Sequence, residues 1–328
     1  MTIVHRPRRL RTNTAMRNLV SEHHLYPENL ILPIFIKEGL LEPVLIKNMK
    51  GVYQHTFASL KTEVDRALSL HIGGIMIFAI PAKRDENGSE AINPDGILHK
   101  AVRAVRDQVG DDLIVIADLC LDEFTSHGHC GVLDQNGNVD NDATLKIYST
   151  MAVQLAQAGA HMLGTSGMMD GQVGAVRLAL DDVGYIDTSI LAYAAKYASA
   201  FYGPFRNAVN SQLKGNRKTY QQDPANSKEA LREIALDAQE GADIIMVKPG
   251  MMYLDIVHAA SQTVDLPIAS YIISGEMAMI ESAADAGAID RKSAILEILL
   301  ATKRAGATIV CTYWALEVAQ WLAEKTRT

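Results

Sequence analysis

Asp243-Ile244-Ile245-Met246-Val247-Lys248 runs directly into Pro249-Gly250. Its apolar residues are consecutive rather than alternating, the pattern of a parallel strand covered on both faces. Ser189-Ile190-Leu191-Ala192-Tyr193-Ala194-Ala195-Lys196 is built in the same way and also ends in lysine. Similar runs occupy Leu30–Ile36, Gly74–Ile80, Leu113–Leu119, Ala160–Thr165, Pro267–Ser274 and Ala307–Tyr313. Helical periodicity fills the intervals, over Thr62–Leu70, Gly96–Val109, Asp142–Ala158, Gly171–Asp181, Lys228–Gln239, Tyr253–Ser261, Met277–Ala286 and Ile289–Ala305. Eight strands alternating with helices predict an α/β protein, a (β/α)8 TIM barrel. An open doubly wound sheet is the alternative. No G-x-G-x-x-G follows the first strand, which weakens its dinucleotide-binding version.

No linker or low-complexity run divides the 328 residues. Residues 1–28 read as an N-terminal arm that packs on a neighbouring subunit, and 29–328 as a single catalytic barrel. A net charge of -7 argues against nucleic-acid binding, and no apolar run reaches the roughly 20 residues of a membrane span. The basic start, His5-Arg6-Pro7-Arg8-Arg9, continues into polar residues, unlike a secretory signal. Three cysteines, an odd and sparse count, suit a reducing cytoplasm.

A barrel presents its chemistry at the carboxyl ends of its strands. Those ends are predicted at Asp118 with Cys120 just beyond, near Ser166, and at Lys196, Lys248, Ser274 and Tyr313. Adjacent strands would set the two lysines side by side. Burial and a neighbouring cation both push an amine toward its neutral, nucleophilic form, and neutral amines make Schiff bases with ketones.

Three further segments allow two readings each. Residues 197–223 form a long connection with Arg206, Lys214, Arg217 and Lys218, either a lid that grips a carboxylate or a solvated basic loop. Cys120, Asp122, His127, His129 and Cys130 share a glycine-containing loop, either a metal site that thiolates would bias toward zinc or a reduced loop. Leu231, Ile234, Ala235 and Ala238 define the buried face of one helix. Glu229, Glu233 and Asp237 form an acidic stripe on that helix, either solvated or relieved by a divalent cation or arginines.

At these residues the chain resembles the delta-aminolevulinic acid dehydratase, or porphobilinogen synthase, family. The resemblance runs nearly end to end. It is carried by Arg6–Arg11, Leu32–Phe35, Thr125–Gly131, Asp140–Thr144, Met169–Val173, Phe201–Arg206, Lys214–Gln221 and, most specifically, Gly241–Leu254. It implies a hydro-lyase that condenses two 5-aminolevulinate molecules to porphobilinogen with loss of two waters, on the route to haem and other tetrapyrroles. It implies Lys248 as the principal Schiff-base lysine and Lys196 as the second. Arg206, Arg217 and Gln221 match residues holding one substrate carboxylate, and Ser274 and Tyr313 those holding the other. Asp118 and Ser166 match polar groups around the reacting amine and carbonyl. Glu233 matches a ligand of allosteric Mg2+, and the family's arms embrace neighbouring subunits, usually in octamers.

One position departs from the zinc-dependent members, which have three cysteines in the active-site loop. Here Asp122 stands between Cys120 and Cys130. The expectation is weak or absent active-site Zn2+ at Cys120, Asp122 and Cys130, with Mg2+ at Glu233 as the main metal. The rivals are a Schiff-base aldolase acting on sugar phosphates and a silent oligomeric relative. The first wants a phosphate-binding glycine loop, for which Gly275-Glu276-Met277 is meagre. The second has no use for two lysines and two carboxylate clamps.

Overall fold

The computed structural model describes residues 4–213 and 215–326, with side chains to 324. Residues 1–3, Lys214 and residues 327–328, which belong to the arm, lid and barrel expectations above, lie outside the described residues.

Eight parallel strands close into a barrel: Leu30–Lys37, Gly74–Ile80, Ile114–Leu119, Met162–Thr165, Ser189–Lys196, Ile244–Lys248, Ile268–Ile272 and Ile309–Thr312. The eighth pairs with the first through Leu30↔Val310 and Ile31↔Cys311, so the barrel has no free edge. The second strand is buried along its whole length, and the others nearly so, which is why their sequences do not alternate. Tyr193, Tyr271, Phe35 and Met76 are among the large side chains packed in this core.

Each predicted helix is present, with ends displaced by a few residues. The first begins at Phe57 rather than Thr62, because Thr56 accepts from the Ser59 backbone N–H and caps it. The strand predicted to end at Ser274 stops at Ile272. Ser274 instead opens the helix Ser274–Asp285, whose first turn is closed by the Glu276 carboxylate accepting from Ile273 N at 2.9 Å. Tyr313 lies one residue beyond its strand. Four features were not anticipated among the strands and α-helices: a helix Thr14–Leu19 in the arm, a hairpin of Val44–Leu45 with Tyr53–His55, a short helix Gly203–Ala208 inside the lid, and a C-terminal helix Ala315–Thr326.

Candidate active site

The fifth and sixth strands carry the site. Ala192 pairs with Ile245, but a bulge follows, and beyond it Ala195 pairs with Val247 and Lys196 with Lys248. The extra residue on the fifth strand decides which side chain faces Lys248. Unbroken register would have put Ala195 there. Both lysines are 5% exposed and line one cavity of about 320 Å3, within the ordinary range for small-molecule sites. Asp118, Ser166, Arg206, Arg217 and Gln221 line the same cavity.

Lys248 lies over aromatic faces, with Nζ 4.1 Å from the Tyr271 ring centre and 5.2 Å from those of Tyr193 and Phe205. Those faces favour the cation. Burial opposes it more strongly, the charge on Lys196 adds to the opposition, and the Lys248 pKa is held down to about 8. Lys196 Nζ donates to the Ser166 carbonyl oxygen at 2.5 Å. Asp118 is buried, feels the charge of both lysines and is hydrogen-bonded to the Ser166 hydroxyl, and its Oδ1 has no partner. Burial lifts its pKa to about 7, against the pull of Lys196. The rim thus combines an amine near neutrality with a carboxyl near neutrality, which is what covalent capture with proton transfer requires.

Ser274 and Tyr313 stand apart from this cavity. Ser274 Oγ accepts from Phe205 N at 2.9 Å, so the lid helix covers it. The Tyr313 hydroxyl accepts from Tyr271 at 3.0 Å, which links it to the ring beneath Lys248. Gly275 lets the lid come close: a Cβ there would lie 2.2 Å from the Phe201 carbonyl oxygen. Its small size serves lid packing, and the phosphate cradle wanted by the aldolase reading has no support there.

Among the lid cations, Arg206 and Lys218 are exposed and line the cavity, whereas Arg217 is drawn inward to Asp122 at 2.8 Å. Glu123 also lines the cavity and was not singled out in the sequence. Burial and then the charges of Asp122 and Asp118 raise its pKa well above the usual carboxylate range. A lone glutamate beside an aspartate carries no signal of that kind without its neighbours in space.

Cys120, Asp122 and Cys130 are buried, with donor atoms within 4.8 Å of one another. Two sulfurs and a carboxylate suit zinc with an open fourth position. Burial raises the Cys120 thiol, whereas a hydrogen bond from Cys120 brings Cys130 down to about 7. Burial would also raise Asp122, but Arg217 foremost, then Lys196, hold it below the ordinary carboxylate range. The donor set therefore fits a zinc-like ion in type, while its carboxylate is already engaged.

The acidic stripe is not simply solvated. Ala230 and Ile234 are the fully buried residues of the helix Lys228–Glu240, and Leu231, Ala235 and Ala238 are only half-buried. That rotation brings Asp237 inward. Burial, then Glu240 and Glu233, push its pKa up to about 8. Native Asp237 keeps a proton that the unfolded chain releases near its ordinary value, so its stabilising effect is full below about pH 4 and is lost as pH rises through about 8. In metal-free buffer, Asp237→Asn is expected to raise the thermal midpoint at pH 8 by about 2 °C or more, with little change at pH 4. Equal shifts at the two pH values would refute this.

Glu233 is half-buried, and burial, then Asp170 and Glu229, raise its pKa. It lines a cavity of about 450 Å3 with Asn141, Asp170 and Glu229, an oxygen-rich set suited to a hard cation. Lys218 and Gln221 line both this cavity and the one holding the lysines.

A family model described as delta-aminolevulinic acid dehydratase matches residues 4–321. A protein of that name from Streptomyces coelicolor is 58% identical over 319 residues, 97% of each chain. One from Mycobacterium tuberculosis is 55% identical over 319 residues, again 97% of each. A solved structure from Toxoplasma gondii superposes with a TM-score of 0.95 at 44% identity, covering 98% of this chain and 92% of that one. It is described as delta-aminolevulinic acid dehydratase (porphobilinogen synthase) in complex with the reaction product porphobilinogen.

Proposed function

The chain belongs to the delta-aminolevulinic acid dehydratase family, the enzymes of porphobilinogen synthesis, and from that premise we propose that it joins two 5-aminolevulinate molecules through Schiff bases on Lys196 and Lys248. The observation that carries this reading is the register Lys196↔Lys248 at the wall of one buried cavity. Each amine attacks a substrate ketone and expels water, leaving an imine. A protonated imine draws electrons from the adjacent carbon, which can then give up a proton and form the new carbon–carbon bond. The carbon–carbon bond forms at the other substrate's imine carbon, and that lysine leaves as a free amine when the attacking carbon gives up its remaining proton. The second bond joins that substrate's amino nitrogen to the first substrate's imine carbon and displaces the other lysine. Two waters leave overall.

Asp118, poised near neutrality, is suited to accept and return protons beside these imines. Arg206, Arg217 and Gln221 sit where a carboxylate entering under the lid would meet them. We assign the second carboxylate to Ser274 and Tyr313, which requires the lid helix to lift from Ser274. A zinc-like ion, when bound by Cys120, Asp122 and Cys130, would polarise a substrate oxygen. Porphobilinogen formation from 5-aminolevulinate, with a borohydride-trapped adduct located on Lys248 by mass spectrometry, tests the reading. Product without any lysine adduct would exclude the covalent route.

We assign Mg2+ to the cavity at Glu233, as an allosteric activator. Lys218 and Gln221, which face both cavities, supply the physical link to the lid. Magnesium is expected to raise both the thermal midpoint and the activity, and Glu233→Gln to lose both responses. A variant that responds as fully as the parent would move the ion elsewhere.

The arm fits an interface. Val4, Leu10 and Leu19 are 71%, 51% and 80% exposed, and neither of its helical segments buries a residue. We place the arm on a neighbouring subunit in an octamer. Removal of residues 1–24 should then shrink the particle measured by light scattering. All three cysteines are unpaired, in keeping with a cytoplasmic location.

A further inference from the structure

Asp122 belongs to the cysteine loop, where its carboxylate meets Cys120 and Glu123, but its ion-pair partner belongs to the lid. Asp122 Oδ2 accepts from Arg217 Nη2 at 2.8 Å, with the two side chains 5% and 13% exposed. The same nitrogen donates to the Gly128 carbonyl oxygen at 2.8 Å. Nearby, the Tyr220 hydroxyl meets His129 Nδ1 at 3.0 Å and accepts from Cys130 N at 3.4 Å. Gly128 has φ 74°, and a Cβ on it would come within 2.5 Å of Leu213 N. The lid and the cysteine loop are therefore joined along one seam, and its only ion pair among the described residues is Asp122–Arg217.

Arg217 has donors to spare. Its Nε is buried without a partner, and the residue lines the cavity. A guanidinium fixed at one nitrogen can present the remaining edge to a substrate carboxylate. The same Asp122 is also the third donor beside Cys120 and Cys130. A divalent ion among those three would lie next to a buried guanidinium, and like charges repel strongly where little water screens them. It would also take electron density from the carboxylate that holds the arginine.

We propose that Asp122 is a positioning residue for Arg217, and that its lid-anchoring ion pair opposes capture of a thiophilic divalent cation by Cys120, Asp122 and Cys130. The positioning role rests on the reading of Arg217 as a substrate clamp. The antagonism does not.

Cobalt(II) titration of the full chain, read by the thiolate-to-cobalt charge-transfer absorption, tests it. Arg217→Gln is expected to bind cobalt about tenfold or more tighter than the parent, whereas Arg217→Lys, which keeps the charge, stays close to it. The coupling is reciprocal, so a second measurement needs no variant. Saturating cobalt should free the lid and raise the rate of tryptic cleavage at Arg217 and Lys218 at least several-fold. Equal cobalt affinity in parent and Arg217→Gln, or a cleavage rate unmoved by saturating cobalt, would overturn the antagonism. For the positioning role, Asp122→Asn is expected to raise the KM for 5-aminolevulinate about tenfold, with a smaller change in kcat and in thermal midpoint. A lowered thermal midpoint with unchanged KM would reduce Asp122 to a structural role. A parent chain that makes no porphobilinogen would remove the functional reading, and the cobalt and proteolysis results would still decide the antagonism.

Discussion

Lys248→Met is expected to lower porphobilinogen formation by about ten-thousand-fold or more, because it removes the group that turns a bimolecular encounter into an intramolecular reaction. The parent amine is suited to this work. With its pKa at about 8, about half of it is neutral at pH 8, against well under one in a hundred for an ordinary lysine. The depression comes from burial first and from Lys196 second, so it is built into the barrel wall. Methionine keeps the length and apolar stem of the side chain and can still pack against Tyr271, Tyr193 and Phe205. The fold should therefore survive, and a thermal midpoint near that of the parent is the control. Borohydride treatment in the presence of 5-aminolevulinate should leave residue 248 unmodified. A variant retaining more than about a hundredth of parental activity would deny Lys248 the nucleophile's role.

Much of this site was legible in the sequence because a buried parallel strand announces itself. An unbroken apolar run that stops at an ionisable residue marks both a strand and the rim of a barrel, and Lys196 and Lys248 each close such a run. Their adjacency also followed from strand order. Their direct opposition did not: it depends on the bulge between Ala192 and Ala195, and alanines in that run give no sign of an extra residue. Ser274 and Tyr313 were misplaced by one or two positions because the last residues of a strand and the first turn of a helix can share one apolar pattern. The lid helix Gly203–Ala208 went unread because glycine and proline at its start look like loop, although proline is at home in a first helical turn.

Pairings across long separations were hidden for a different reason. Asp122 and Arg217 are 95 residues apart, and neither sequence neighbourhood names the other. Read alone, Asp122 was a lost metal ligand and Arg217 a carboxylate clamp. In space, one holds the other. The acidic stripe shows the same limit at shorter range. A helical wheel gives the spacing of Glu229, Glu233 and Asp237, but the rotation of the helix decides how deep each lies. Ala230, rather than Ala238, faces the barrel most fully.

Lys196→Met is expected to reduce turnover by about a hundred-fold or more and to move the acid limb of the kcat/KM profile toward higher pH. Lys196 depresses the Lys248 pKa, as the largest cause after burial. Without that neighbouring cation the Lys248 pKa rises, and a more alkaline solution is needed to obtain the neutral amine that attacks the ketone. The same substitution acts on Asp118. Burial raises that carboxyl to about 7 while Lys196 pulls against it, so losing the lysine lifts it further and leaves more of it protonated near neutrality. A protonated Asp118 can no longer accept a proton, so this change also favours higher pH. The two shifts have one sign, whereas simple loss of a second substrate contact would lower activity uniformly across pH. A profile of Lys196→Met with its acid limb unmoved, or displaced toward lower pH, would show that the two amines do not share an electrostatic site, whatever the loss in rate.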